Sequence, residues 1–207
     1  MPFLRVVPVL FITRCAMMAL LLTVCIGVGS PRAATYVLDQ QDAQIDFTVR
    51  NLSMFSSHGE FQRFKTSMKL DSKHPERTMI SVDVDATSVD MPWRDGVEML
   101  RSPDFFDVKR FPLIHFASTE VRPDGDDRFT VLGQIRIRSV SQPLVLEVRL
   151  LGRHSDPSLG GDVADFVATG TLKRSEFGMT ADKLLISDRV DITIHARIAL
   201  QAATRAD

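Results

Sequence analysis

The sequence predicts an all-β fold: an antiparallel β-barrel of about eight strands with a short helix insertion. Three observations predict it. Runs of residues alternate between apolar and polar, short turn-like segments separate the runs, and one stretch breaks the alternation with helical spacing.

The first clean alternation is Ile45-Asp46-Phe47-Thr48-Val49-Arg50, and Ser81-Val82-Asp83-Val84-Asp85-Ala86 follows it. Ile114-His115-Phe116-Ala117 continues the pattern. From Val131 to Arg138, the residues Val131, Gly133, Ile135 and Ile137 share one side. The run from Val190 to Ile198 is the most regular. Asp71-Ser72-Lys73-His74-Pro75, Pro123-Asp124-Gly125-Asp126 and Gly160-Gly161 read as turns, and so does His58-Gly59-Glu60. Such short loops favour antiparallel neighbours, and no stretch reads as the crossover helix of a parallel sheet. Met91 to Phe111 does not alternate. Trp93, Val97 and Leu100 predict a helix from Trp93 to Arg101, stopped at Ser102-Pro103. Closing such strands into a barrel removes exposed edges; a two-sheet sandwich is the rival arrangement.

The 207 residues suit one domain with an appendage. A composition of 44% hydrophobic and 25% charged residues, with mean hydropathy +0.03, excludes disordered, collagen-like and polytopic membrane classes. The net charge of −1 offers no basic footprint for nucleic acid. Residues 1–34 hold no acidic residue, three arginines (Arg5, Arg14, Arg32) and both cysteines (Cys15, Cys25), with no charge from Cys15 to Gly29. A basic start, a short apolar core and the small Ala33 and Ala34 predict a cleaved signal peptide over 1–34. An uncleaved anchor is the alternative. The domain then runs over 35–207. Removing three of the 25 basic residues and none of the 26 acidic ones leaves 22 against 26, a net charge of −4. No cysteine remains, so an exported domain of this size must rest on core burial rather than disulfides. Thiol catalysis and cysteine-based metal sites are excluded with it.

An eight-stranded barrel is just wide enough to be filled by side chains or to hold one small ligand. The domain carries eleven Phe and six Met but one Trp (Trp93) and one Tyr (Tyr36). Such residues bring apolar surface with few polar handles, which suits a long, featureless hydrocarbon. Chemistry finds little support. The five histidines (58, 74, 115, 154, 195) show no zinc-binding spacing. His115 and His195 fall opposite the apolar faces of their strands, and Asp83 and Asp85 point outward. Asp104 and Asp107 suit the capping of a turn. No phosphate loop or nucleophile elbow is present, so no catalytic residue, metal ligand or cofactor is assigned.

Ser102-Pro103-Asp104-Phe105-Phe106-Asp107-Val108, then Arg110-Phe111-Pro112-x-Ile114-x-Phe116-x-Ser118-Thr119, resembles the central signature of the YceI-like family. Ile45-x-Phe47-x-Val49 leading to Gly59-x-Phe61 also fits. So do Ser141-x-Pro143-Leu144-x-Leu146-x-Val148 and Ala168-x-Gly170-x-Leu172-x-Arg174-Ser175-x-Phe177-Gly178-Met179. The ordered set spans nearly the whole domain. The resemblance implies an extended lipocalin-like antiparallel β-barrel around a long apolar cavity. It also implies binding of polyisoprenoid or similar amphiphilic lipids and, with the leader, a periplasmic address. One departure stands at the helix. The family commonly has Arg-Asp-x-His-Leu-Arg-Ser, whereas here Met99 replaces the His and Arg94-Asp95 fall two residues early.

Strand parity, and position over the barrel end, give the expected lining: Phe47, Val49, Phe61, Val82, Val84, Trp93, Leu100, Phe105, Phe106, Ile114 and Phe116. A phosphorylated ligand would also need a cation, and Arg94, Arg101, Lys109 and Arg110 around the helix are the head-group candidates. The expected function is to sequester or carry a long-chain isoprenoid or similar lipid. The alternatives are an enzyme acting on an isoprenoid or quinone-like lipid, and a soluble partner of a cytochrome b-type membrane protein.

Overall fold

The computed structural model describes residues 35–51, 55–70, 74–157 and 161–201, with side chains between residues 43 and 199. The leader segment, expected as a signal peptide, lies outside the described residues. The strands are β1 (Thr35–Asn51), β2 (Ser56–Phe61), β3 (Phe64–Lys69), β4 (Met79–Asp85), β5 (Val89–Asp90), β6 (Leu113–Pro123), β7 (Arg128–Ile137), β8 (Val140–Asp156), β9 (Gly161–Lys173) and β10 (Ile186–Gln201). They form one antiparallel sheet in the order β3-β4-β6-β7-β8-β9-β10-β1-β2-β5. A single sheet replaces the two layers of the rival sandwich.

The sheet curls because β2 and β3 are two halves of one run of chain, broken only at Gln62 and Arg63. The first half bonds to β1 and the second to β4, which lie far apart in the strand order. The chain therefore joins the two sides of the sheet. Counting β2 and β3 as one position, and leaving out the two-residue β5 annexed to β2, the barrel has eight strand positions.

The bend is clamped to the turn that follows β4. Asp85 N donates to Arg63 O at 2.9 Å, and Gln62 N donates to Ser88 O at 3.3 Å. Arg63 N donates to Ser88 Oγ at 3.0 Å, and the Arg63 guanidinium reaches Asp85 Oδ2 through Nε (3.0 Å) and Nη2 (2.9 Å). Asp85 Oδ1 accepts from Thr87 N at 2.9 Å, which caps the short 3-10 turn Ala86–Ser88.

The helix α1 (Arg94–Arg101) begins one residue after its expected start, because Trp93 is extended and serves as N-cap. Ser102 is extended as well and ends it. His58-Gly59-Glu60, which reads as a turn, instead lies inside β2 opposite β1. Gly59 pairs with Phe47, and a Cβ there would fall 2.3 Å from Phe47 Cζ. The glycine is present to give that ring room, not to turn the chain.

Two segments cover one end of the barrel. The first is α1 with its exit, where Leu100 and Phe105 are buried; the second is the 3-10 turn Arg174–Phe177 and the residues after it, where Phe177 and Met179 are buried. At the other end the strands finish in turns, and the short 3-10 turn Pro75–Arg77 before β4 brings Pro75 and Thr78 to the cavity wall.

Desolvation works to raise the Asp85 pKa, but the hydrogen bonds from Thr87 and Arg63 outweigh it and hold the carboxyl below its ordinary range. A depressed pKa in the folded state stabilises above the unfolded value and is lost as pH falls through the folded one. Asp85→Ala is expected to cost about 1–2 kcal/mol at pH 7 by urea unfolding. The gap to the unsubstituted protein should narrow below about pH 3.9, the ordinary aspartate value.

Candidate functional site

The inner faces of the strands enclose a cavity of about 880 Å³ that runs from the covered end to the far strand ends. That volume lies in the upper part of the roughly 300–1,000 Å³ range of small-molecule sites. The wall is built by strand parity. Paired positions share a face, so Val84 and Ile114, Val82 and Phe116, and Phe116 and Ile135 stand together on the inner side.

All eleven expected lining residues stand in the wall of this one cavity. Phe47, Phe61, Val84, Ile114 and Phe116 form its buried middle, with Val49 and Val82 half-buried beside them. Leu100, Phe105 and Phe106 form the covered end. Trp93 reaches the same end but is 44% exposed, since it precedes α1 instead of lying on its packed face. Phe47, Phe61 and Phe106 continue as a chain of rings, with centroids 5.5 and 5.6 Å apart. Met99, at the family's usual His position, is also in the wall and presents a thioether to the lumen.

The head-group candidates are placed differently. None of Arg94, Arg101, Lys109 and Arg110 lines the cavity. Arg101 turns back to donate from Nη2 to the carbonyls of Thr87 (2.8 Å) and Val89 (3.3 Å), so it fastens α1 to the chain before it. Arg110 is exposed, pairs with Asp107 at 3.4 Å and lies 5.1 Å from the Phe111 ring centroid. Arg94 and Lys109 are exposed on the outside of the cover. Nearness to the helix in sequence carried no information on which side of it a cation would stand.

The cation that does reach the covered end is Arg174, which is 3% exposed. Its Nε donates to Ser187 O (3.0 Å), Nη1 to Met179 O (2.9 Å) and Ala181 O (2.6 Å), and Nη2 to Ile186 O (2.9 Å). Its guanidinium carbon lies 5.9 Å from the Phe105 ring centroid. This one side chain ties the β9–β10 connection into a plug and seats it on the other covering segment.

The sequence reading missed the β9–β10 wall, where Phe166, Ala168, Ile192 and Ile194 face the lumen. The alternation in Val190–Ile198 was the available signal. It also missed the far end. In β8 the even residues Leu144, Leu146 and Val148 face inward until the register slips between Leu150 and Gly152. Past this bulge the odd residues turn inward: Arg153 pairs with Ala164 and Ser155 with Asp162, and all four line the cavity. His154, between Arg153 and Ser155, also touches the cavity and lies 3.4 Å from Asp165, which also accepts from Arg197 Nε at 2.8 Å.

The arrangement is that of a barrel with an apolar lumen, covered at one end and polar-rimmed at the other. Comparison with known proteins identifies the kind. The chain belongs to the YceI-like family: the model of the YceI-like domain matches residues 36–198. Protein YceI of Escherichia coli is 34% identical over 168 residues, covering 80% of this chain and 87% of that protein. Among solved structures, Burkholderia cenocepacia BcnA superposes with a TM-score of 0.69 at 20% identity, covering 78% of this chain and 99% of that one. A polyisoprenoid binding domain from Saccharophagus degradans, described as implicated in plant cell wall breakdown, matches with a TM-score of 0.58 at 12% identity. That match covers 81% of this chain and 99% of the other.

Gly59→Ala is expected to drive the Phe47 ring off the wall and into the lumen. The cost is about 1–3 kcal/mol by urea unfolding, with weaker uptake of an apolar fluorophore such as N-phenyl-1-naphthylamine. Arg174→Lys is expected to cost about 2–4 kcal/mol, because an ammonium cannot reach carbonyls spread around a planar fork.

Proposed function

We propose that this protein is a periplasmic binding protein that sequesters or carries a long-chain isoprenoid or similar amphiphilic lipid in the barrel cavity. The observation that carries the reading is the lumen itself, a space of about 880 Å³ walled from Phe105 to Ile194 by aliphatic and aromatic side chains. Apolar linings of this kind take apolar guests. Membership of the YceI-like family supports it, as does the shared fold of a domain described as polyisoprenoid-binding. The leader in residues 1–34 supports the address.

The energetics are adequate. Burying about 600 Å² of apolar lipid surface gives a gross gain of about 15 kcal/mol at about 25 cal/mol/Å². The costs of association and ordering, about 4–15 kcal/mol, leave room for micromolar or tighter binding. The lumen is chemically plain along the buried stretch, so the chain supplies containment and desolvation instead of reacting groups. The His115–Asp83 contact, at 2.6 Å, lies outside the cavity wall.

The test is mass spectrometry of lipid extracted from the protein purified without added ligand. A long-chain apolar lipid is expected at near-stoichiometric amount. Ile194→Asp places a carboxylate at a half-buried point of the wall and is expected to lower that amount by tenfold or more. An empty unsubstituted protein that also fails to bind geranylgeraniol overturns the reading.

A further inference from the structure

We infer that the end of the lumen away from α1 holds an acidic head group, a phosphate or carboxylate ending the apolar tail, and that Arg153 is its contact. The inference rests on the lipid reading of the cavity and adds the orientation and charge of the guest.

Four observations lead to it. First, the cation in the cavity wall at the covered end, Arg174, is committed to four backbone carbonyls. Second, the bulge between Leu150 and Gly152 turns Arg153 from the outer face to the inner one, level with Ala164. A bulge re-aims side chains, and this one aims a guanidinium into the mouth of an apolar tube. Third, among the described residues Arg153 has no hydrogen-bond or ion-pair partner, whereas Arg197 and His154 nearby are engaged by Asp165. Fourth, Ser155 stands on the same inner face two residues on, about 7 Å along the strand, and adds a hydroxyl donor.

Asp162, opposite Ser155, fixes the depth. It lies one step nearer the hairpin than the Arg153–Ala164 pair, so an anion at Arg153 sits inboard of it and is repelled on sliding outward. A tail then runs from Arg153 towards Phe105, tip first.

The test compares geranylgeranyl phosphate, geranylgeraniol, palmitate and hexadecanol, each bound to the delipidated chain at low salt. The acidic member of each pair is expected to bind about tenfold tighter than its alcohol. Arg153→Gln, a change at an exposed position, is expected to abolish that preference and leave the alcohols unchanged. Asp162→Asn is expected to enlarge the preference, and Arg110→Gln to leave it as it was. A preference confined to the prenyl pair names phosphate, and one confined to the fatty pair names carboxylate; either supports the inference. Equal binding of acids and alcohols, or a preference that survives Arg153→Gln, overturns it while the lumen reading stands. Failure of all four compounds to bind overturns the lumen reading and this inference together.

Discussion

One strand that changes partners is the constraint on which this structure depends. The chain from Ser56 to Lys69 pairs first with β1 and then with β4, and the switch takes place over Gln62 and Arg63. Both backbone groups at the switch are taken up by the turn after β4, through Ser88 and Asp85, and the Arg63 guanidinium closes over the same carboxylate. Without that clamp the sheet would keep two free edges, and its inner face would have no enclosed volume to face.

Enclosure alone does not keep a lumen open, because protein interiors close-pack wherever side chains are free to do so. Here the bulky residues are laid against the wall. Phe47 lies over Gly59, and Phe116 lies where a Cβ on Gly133 would fall 2.5 Å from its ring. Each ring fills the space left by the missing side chain of a neighbouring-strand glycine and so lies against the wall. The covered end has the reverse design: Phe105, Phe177 and Met179 pack fully, with Arg174 fastened among carbonyls beneath them. Rigid cover and open bore therefore have different local causes, although both are made of the same residue types.

Much of this was legible in the chain. Period-two alternation marked the strands and, through parity, put Phe47, Val84, Ile114 and Phe116 on one face. The helix followed from Trp93, Val97 and Leu100, with Pro103 behind them. What was not legible depends on neighbours distant in sequence. His58-Gly59-Glu60 resembles a turn because glycine usually marks one, and its reason here is a ring twelve residues earlier on another strand. The basic residues around α1 drew attention by adjacency, yet Arg101 and Arg110 are held by groups outside the lumen. Arg153 was passed over because a bulge reverses the parity of every residue after it; the adjacent Leu150 and Leu151 and the strand glycine Gly152 were the available signal.

Having a floor at one end and a rim at the other turns the barrel into a gauge. On β8 the inner face runs from Leu144 to Ser155, roughly 36 Å of strand at about 3.3 Å per residue. Strand tilt of about 40° makes that roughly 28 Å of depth. A tail shorter than this would leave a void, and a longer one would leave apolar chain in water beyond the rim. Under the lipid reading, guests would be sorted by how far they reach as well as by what they carry at the rim.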